Sequence, residues 1–263
     1  MTDRRRHINR LIGFGASMLV ILLVVSLFAS FGFLEKNYLS GVEFTVLDIS
    51  SDNSLLDSAD VQYPLAELYP GDIEQIAVDS ISLQAIEEHY RSNPFVRECR
   101  TYIDKHYTLQ IEIVERIPLV RIFNQNGGDY YIDDEGISMP VSDHFTPRTL
   151  LATGHIPLLP LDDHVDSSQI HQNLFALAEA INDDDFMSSF VNEIHIDEQG
   201  QFVLYPLVGD FIIRITNIDQ IKTKFENLKI FLRDGLSRLG WDKYSEIVID
   251  YNNQIIGKKI VNP

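Results

Sequence analysis

The chain has 263 residues and a formal net charge of −18. An acidic excess of this size excludes binding to nucleic acid, or to anionic lipid, by charge alone. The single cysteine, Cys99, has no partner within the chain, so an internal disulfide is excluded and hydrophobic cores must hold the fold. Once residues 1–36 are set aside, about 227 residues remain, enough for one or two domains.

Residues 11–34 carry no charge and consist of large apolar residues with some Gly, Ala and Ser. A helix of this length would measure roughly 36 Å, which spans the hydrocarbon core of a bilayer. The tail at 1–10 contains four arginines, so the positive-inside rule predicts a single-pass type II anchor with a cytoplasmic N-terminus. A cleaved signal peptide is the alternative, but the apolar run exceeds the usual length of about 7–15 residues.

Residues 42–117 are predicted to form a small α+β module. The predicted strands lie at 42–49, 95–103 and 107–115, and the predicted helices at 57–68 and between Ser82 and Pro94. The order strand, helix, helix, strand, strand predicts two helices packed on one face of a three-stranded sheet.

Residues 118–263 are predicted to form a mainly antiparallel β domain with two helices. The predicted strands lie at 119–123, 130–132, 150–153, 191–197, 201–207, 211–215, 246–251 and 254–261, and the predicted helices at 168–181 and 219–239. A continuous strand near 114–120 is expected to join the two domains and to fix their relative angle.

The last two strands form a hairpin around Asn252 and Asn253, which is expected to leave the final strand at a sheet edge. Such an edge exposes unpaired N–H and C=O groups. Lys258 and Lys259 either protect this edge from aggregation or border a surface that takes up a strand from another protein.

One cluster has the chemistry of metal ligands. It comprises Asp162, Asp163, His164, Asp166 and His171. The two histidines lack the i, i+4 spacing of a helical metal site, and a Pro-rich acidic loop before a helix explains the same residues. A metal-dependent cell-wall hydrolase that uses residues 162–171 is the enzymatic alternative.

A possible catalytic histidine and a possible calcium loop have simpler explanations. His195 shares a strand face with Glu193 and Asp197, as on a solvated strand, and the acidic run at 182–185 lacks the Gly and the closing Glu of a calcium loop. The sequence contains no nucleophile elbow and no phosphate-binding glycine loop. The sequence therefore predicts no catalytic residue, no cofactor and no small-molecule substrate.

Three stretches resemble a known family. Residues 93–96 read Asn-Pro-Phe-Val, residues 109–118 read Leu-Gln-Ile-Glu-Ile-Val-Glu-Arg-Ile-Pro, and residues 130–136 read Tyr-Tyr-Ile-Asp-Asp-Glu-Gly, with Pro140 four residues later. In order and spacing they resemble the FtsQ/DivIB bacterial cell-division proteins, and residues 240–254 are similar to a Gram-negative subgroup. The resemblance covers nearly the whole chain.

The resemblance implies a non-enzymatic divisome scaffold of the inner membrane, enriched at the septum. It implies that residues 42–117 are a POTRA (polypeptide-transport-associated) domain and that FtsB- and FtsL-like bitopic proteins are partners. A partner strand would add to the C-terminal edge, at Tyr251, Gln254, Ile255, Ile256, Lys258 and Ile260. Ile256→Pro is expected to remove an N–H from this edge. A POTRA-type chaperone for outer-membrane assembly is a further alternative, but such chaperones usually carry several POTRA repeats.

Overall fold

The computed structural model describes residues 17–26, 37–47, 54–124, 128–236, 238, 240–251 and 254–260. Residues 17–26 form an exposed helix inside the predicted anchor. The tail at 1–10 and the remainder of 11–34 lie outside the described residues. Within the described ranges, no helix combines the length and the apolar character needed to cross a membrane.

The first domain is a three-stranded sheet covered by two helices, as the sequence predicted. Its strands are β1 (Gly41–Leu47), β2 (Val96–Ile103) and β3 (Thr108–Glu115), and its helices are α1 (Ser58–Leu68) and α2 (Leu83–Arg91). The order in the sheet is β1-β3-β2, with β1 parallel and β2 antiparallel to β3.

Capping side chains fix where the two helices begin. Asp57 and Asp60 form a capping box at the start of α1, and the Ser82 hydroxyl accepts a hydrogen bond from the amide of Ala85 at the start of α2. In β3 every second side chain is buried, so one face of the sheet packs against the helices and forms the core.

The second domain contains a nine-stranded mixed sheet. The strands are β4 (Pro118–Ile122), β5 (Tyr130–Asp133), β6 (Ser138–Pro140), β7 (Leu150–Gly154), β8 (Val191–Ile196), β9 (Phe202–Pro206), β10 (Ile212–Ile215), β11 (Tyr244–Tyr251) and β12 (Gln254–Lys259). The order is β12-β11-β10-β9-β8-β7-β4-β5-β6. The pairs β4–β7, β7–β8 and β10–β11 are parallel, and the other pairs are antiparallel, which agrees with the mainly antiparallel domain predicted.

Helices cover the core of the second domain. They are α3 (Gln169–Asn182), α4 (Asp185–Phe190) and α5 (Ile221–Ile230), and α5 continues as a π-helical segment at Phe231–Leu236. The sequence predicted two helices and missed α4, whose six residues are too few to show a helical period. Asp184 caps α4 by accepting hydrogen bonds from the amides of Phe186 and Met187.

The joint between the domains is not the continuous strand expected near 114–120. Strand β3 ends at Glu115 and β4 begins at Pro118, and the two strands belong to different sheets. Proline has no N–H to continue a ladder. The buried Glu115 carboxylate instead accepts hydrogen bonds from the Ser54 hydroxyl and, at 2.9 Å, from the amide of Leu55.

Apolar and charged contacts also cross the joint. Leu55 from the first domain is buried against Tyr131 and Met139 of the second domain. Arg116 Nη1 lies 2.7 Å from Oδ2 of the fully buried Asp133. These contacts tie the end of β3 to the β5–β6 side of the large sheet.

Candidate partner-binding edge

Strand β12 lies at one end of the nine-stranded sheet. It pairs antiparallel with β11, and Tyr251 pairs with Gln254 where the hairpin closes. Asn252 and Asn253 of the turn lie outside the described residues. Within the part of the chain that the structure describes, no strand lies on the other side of β12. Its outer side is therefore an edge of the kind that takes up a further strand.

The N–H and C=O groups of successive residues in β12 point to opposite sides of the strand. The amide of Ile260 donates to the carbonyl of Lys243 at 3.0 Å. In an antiparallel pair, N–H and C=O groups of alternate residues point the same way. The groups of Gln254, Ile256 and Lys258 thus point towards β11, and those of Ile255, Gly257 and Lys259 point outwards.

The direction of these backbone groups corrects the expectation for Ile256→Pro. Ile256→Pro was expected to remove an N–H from the free edge, but the amide of Ile256 points towards β11, opposite Val248. A proline there would break the β11–β12 ladder itself. The outward N–H groups that a partner strand needs belong to the neighbouring residues.

The side chains of β12 divide between two faces. Ile255 packs against the core of the domain, and Gly257 lies on the same face, over the ring of Tyr244. Ile256, which is 44% exposed, and Lys258 share the opposite face. The exposed face thus presents one apolar and one cationic side chain.

Charged side chains form a row across the same part of the sheet. Arg214 Nη1 lies 2.8 Å from Asp197 Oδ2, and Arg214 Nε lies 2.6 Å from Glu246 Oε1. Lys258 Nζ lies 2.7 Å from Glu246 Oε2. Burial acts to raise the pKa of Glu246, but the hydrogen bonds from Lys258 and Arg214 outweigh it, so the pKa lies below its ordinary value. Glu246 therefore holds two cations near neutral pH.

The six residues predicted for partner binding differ in position. Ile256 and Lys258 are exposed on the outer face, and Ile255 is half-buried on the core face. Ile260 follows the strand and is 45% exposed. Gln254 is exposed at the start of β12, and for Tyr251 only the backbone is described.

Sequence reasoning missed three residues that shape this edge, namely Arg214, Glu246 and Gly257. Arg214 and Glu246 lie on separate strands, 32 residues apart in sequence, so no local pattern joins them. Gly257 carried a usable signal, since a glycine inside a strand often marks the close approach of another group.

The acidic and histidine residues at 162–171, which were the alternative candidates for a metal site, do not come together as one cluster within the described residues. His164 Nδ1 lies 3.1 Å from Asp166 Oδ2, and its Nε2 lies 3.1 Å from the carbonyl oxygen of Glu135. His171 is buried and its Nε2 lies 3.1 Å from the Tyr130 hydroxyl. The two histidines thus have different partners, and burial lowers the pKa of His171.

A different trio of metal-ligand type lies close together. Ligand atoms of Asp57, Asp60 and His144 lie within 4.8 Å of one another. Each carboxylate already accepts a backbone hydrogen bond in the capping box of α1, at 2.7 Å and 3.0 Å. Capping therefore accounts for these carboxylates without an ion.

His195 also has a structural explanation. Its Nδ1 lies 2.8 Å from the hydroxyl of Thr153, which lies 2.5 Å from Glu193 Oε1. These half-buried side chains link β7 to β8, whereas Asp197 bonds to Arg214. The arrangement is a half-buried polar cluster that joins two neighbouring strands.

Comparison with known proteins decides the family. The family model described as "FtsQ/DivIB, C-terminal related" matches residues 117–258. The match covers more than half of the chain and extends through β11 into β12. The chain belongs to the FtsQ/DivIB family. No curated protein matches it significantly.

Membership of the FtsQ/DivIB family indicates a role in cell division and interactions with other division proteins. The family is generally one of non-enzymatic division proteins. The matched region contains the whole row of charges from Asp197 to Lys258.

Proposed function

We propose that this FtsQ/DivIB chain is a membrane-anchored, non-catalytic divisome scaffold that captures partner strands on the outer side of β12. In this role it recruits FtsB- and FtsL-like bitopic proteins, couples early and late division proteins at the septum, and controls septal peptidoglycan synthesis. The observation that carries the proposal is the terminal position of β12, with its outward backbone groups beside an exposed Ile256.

The anchor proposed at 11–34 supports this role. With the N-terminus in the cytoplasm, both domains lie on the far side of the inner membrane, in the periplasm of a Gram-negative cell. The first domain, which we assign to the POTRA type, begins a few residues after the anchor. Partners that are themselves single-pass would meet β12 in the same compartment.

A pair of variants at Lys259 tests strand capture. Lys259→Pro removes an outward N–H, and a proline at such a position leaves the β11–β12 ladder intact. Lys259→Ala is the matched control, because it removes the same side chain and keeps the N–H. Both full-length variants are expected to fold. Only the proline variant is expected to lose co-purification with FtsB- and FtsL-like partners from solubilised membranes.

The same variants are then expressed in cells depleted of the wild-type chain. We expect Lys259→Ala to support division and to form fluorescent bands at midcell when labelled. Lys259→Pro is expected to leave the cells as filaments. Normal partner recovery and normal division with a folded Lys259→Pro variant would rule out capture on this edge.

A further inference from the structure

Three side chains that can ligate a metal ion meet where the two domains touch. Asp57 and Asp60 lie at the start of α1 in the first domain, and His144 lies in the loop between β6 and β7 of the second domain. Their donor atoms lie within 4.8 Å of one another. Within the described residues, no other three side chains of His, Cys, Asp or Glu come as close. The cluster therefore spans the joint.

Capping explains why the two carboxylates lie there, but it does not explain His144. Asp57 Oδ1 accepts a hydrogen bond from the amide of Asp60 at 2.7 Å, and Asp60 Oδ2 accepts one from the amide of Asp57 at 3.0 Å. Asp57 Oδ2 takes no part in this cap and is the oxygen nearer to the imidazole. Each carboxylate oxygen has about two acceptor sites, so Asp60 Oδ2 can also ligate a cation.

A serine hydroxyl holds the loop of His144 against the first domain. Ser142 Oγ donates to the carbonyl of Leu55 at 2.9 Å and accepts from the amide of His144 at 3.2 Å. Leu55 is buried and lies two residues before Asp57. The backbone of His144 is thus fixed beside the start of α1, where its side chain faces the two carboxylates.

The distances fit ligands of one ion better than hydrogen bonds. His144 Nε2 lies 3.5 Å from Asp57 Oδ2 and 3.9 Å from Asp60 Oδ2. An N–H···O hydrogen bond is shorter, at about 2.7–3.2 Å. Two ligands of a tetrahedral zinc ion, each about 2.0–2.1 Å from the metal, lie about 3.3–3.4 Å apart. Small side-chain movements therefore bring all three donor atoms onto one ion.

The electrostatics of the cluster also suit a cation. The hydrogen bond from the amide of Asp60 lowers the pKa of Asp57 below its ordinary value, so this carboxylate is ionised at neutral pH. Within the part of the chain that the structure describes, neither carboxylate pairs with a lysine or an arginine. The three side chains are 33–47% exposed, which leaves a path for an ion from solvent.

We propose that Asp57, Asp60 and His144 bind one zinc ion, which links the first domain to the second. An imidazole with two carboxylates suits zinc, whereas magnesium and calcium prefer oxygen ligands alone. Three protein ligands leave the fourth position of a tetrahedral ion to water. The ion connects α1 to the loop after β6, so it restricts movement of the two domains relative to each other.

Titration of the full-length chain in detergent tests the site. The untagged protein is stripped with a chelator and titrated with zinc chloride at pH 7.5 in a calorimeter. We expect one zinc ion per chain, which an excess of magnesium chloride does not displace. Zinc should also raise the midpoint of thermal unfolding, because it binds the folded chain.

Two variants and one control locate the ion. Asp57→Asn keeps the helix cap, because asparagine caps as well as aspartate does, but it removes the charged oxygen that faces the imidazole. His144→Ala removes the nitrogen ligand. Each should weaken zinc binding by at least about tenfold and abolish the thermal shift. His155→Ala, which removes an exposed histidine from the second domain, should bind zinc as the wild type does.

The coordination of the ion gives a second readout. X-ray absorption at the zinc edge is expected to show one imidazole nitrogen and at least two oxygens around the metal. Absence of zinc binding, or equal affinity in the wild type, Asp57→Asn and His144→Ala, would overturn the inference. Strand capture by β12 does not depend on this site and would be unaffected by either result.

Discussion

Gly257 in β12 lies directly over the aromatic ring of Tyr244 in β11. A Cβ placed on Gly257 would come within 2.5 Å of both Cδ1 and Cε1 of that ring. Tyr244 is itself buried and packs edge-on against Phe231, with the ring centroids 6.0 Å apart. Because Gly257 has no side chain, β12 can pack closely against Tyr244.

Gly257→Ala is therefore expected to destabilise the terminal hairpin. The methyl group must displace Tyr244, and overpacking of this kind costs about 1–3 kcal/mol. The measurements are the free energy of unfolding and the recovery of the proposed FtsB-like partner, both of which should fall. Gly41→Ala in β1 is the control, because nothing lies within 4 Å of its added Cβ. A Gly257→Ala variant as stable as the Gly41→Ala control would show that Tyr244 moves aside freely.

Glu246 is expected to make the stability of the edge depend on pH. The pKa of Glu246 is lower in the folded chain than in the unfolded chain, so its stabilising effect is complete above about pH 4.3. That effect is lost as the pH falls through the lower, folded pKa. Charge-assisted hydrogen bonds of this type contribute about 1 kcal/mol or more.

The measurement compares the wild type with Glu246→Gln between pH 7 and pH 3. The difference in free energy of unfolding should be largest near neutral pH and should disappear at the acidic end. Glu198→Gln removes an exposed carboxylate from a turn and should show no such trend. A constant difference for Glu246→Gln across the whole range would contradict the assigned ion pairs.

The two strands of the terminal hairpin could be predicted from the sequence, but the contacts around them could not. Alternating residues and the Asn252–Asn253 turn are local signals, so both strands could be predicted. The contact of Arg214 with Glu246 joins residues on separate strands, and only the sheet order brings them together. The direction of the Ile256 amide depended on pairing register, which alternation alone does not fix.

Two neighbouring aspartates at the joint, Asp133 and Asp134, are expected to contribute very differently to stability. Asp133 is fully buried, pairs with Arg116, and accepts hydrogen bonds from two backbone amides. Asp134 has a side chain that is 38% exposed and pairs with Arg97. Breaking a buried pair typically costs about 3–5 kcal/mol, whereas an exposed pair contributes about 0–1 kcal/mol.

Chemical denaturation of Asp133→Ala and Asp134→Ala checks this difference. Both variants remove one carboxylate from adjacent positions, so each is the control for the other. Asp133→Ala should lower the free energy of unfolding by about 3–5 kcal/mol, and Asp134→Ala should resemble the wild type. Similar losses in the two variants would mean that the buried pair contributes no more than the exposed one.

Cys99 is expected to be unreactive in the folded chain. Its side chain is fully buried in the core of the first domain, and burial raises the pKa of the thiol to about 12. Because the thiolate is the reactive form, a thiol reagent at pH 8 should label Cys99 only as fast as the domain opens.

The double variant Cys99→Ser, Tyr102→Cys is the control. It places a thiol on the same strand, at a position where the native side chain is 46% exposed, and should react within seconds. Rapid labelling of native Cys99, at a rate unaffected by denaturant, would contradict its burial. A slow rate that rises with denaturant would instead report the opening of β2 from α2.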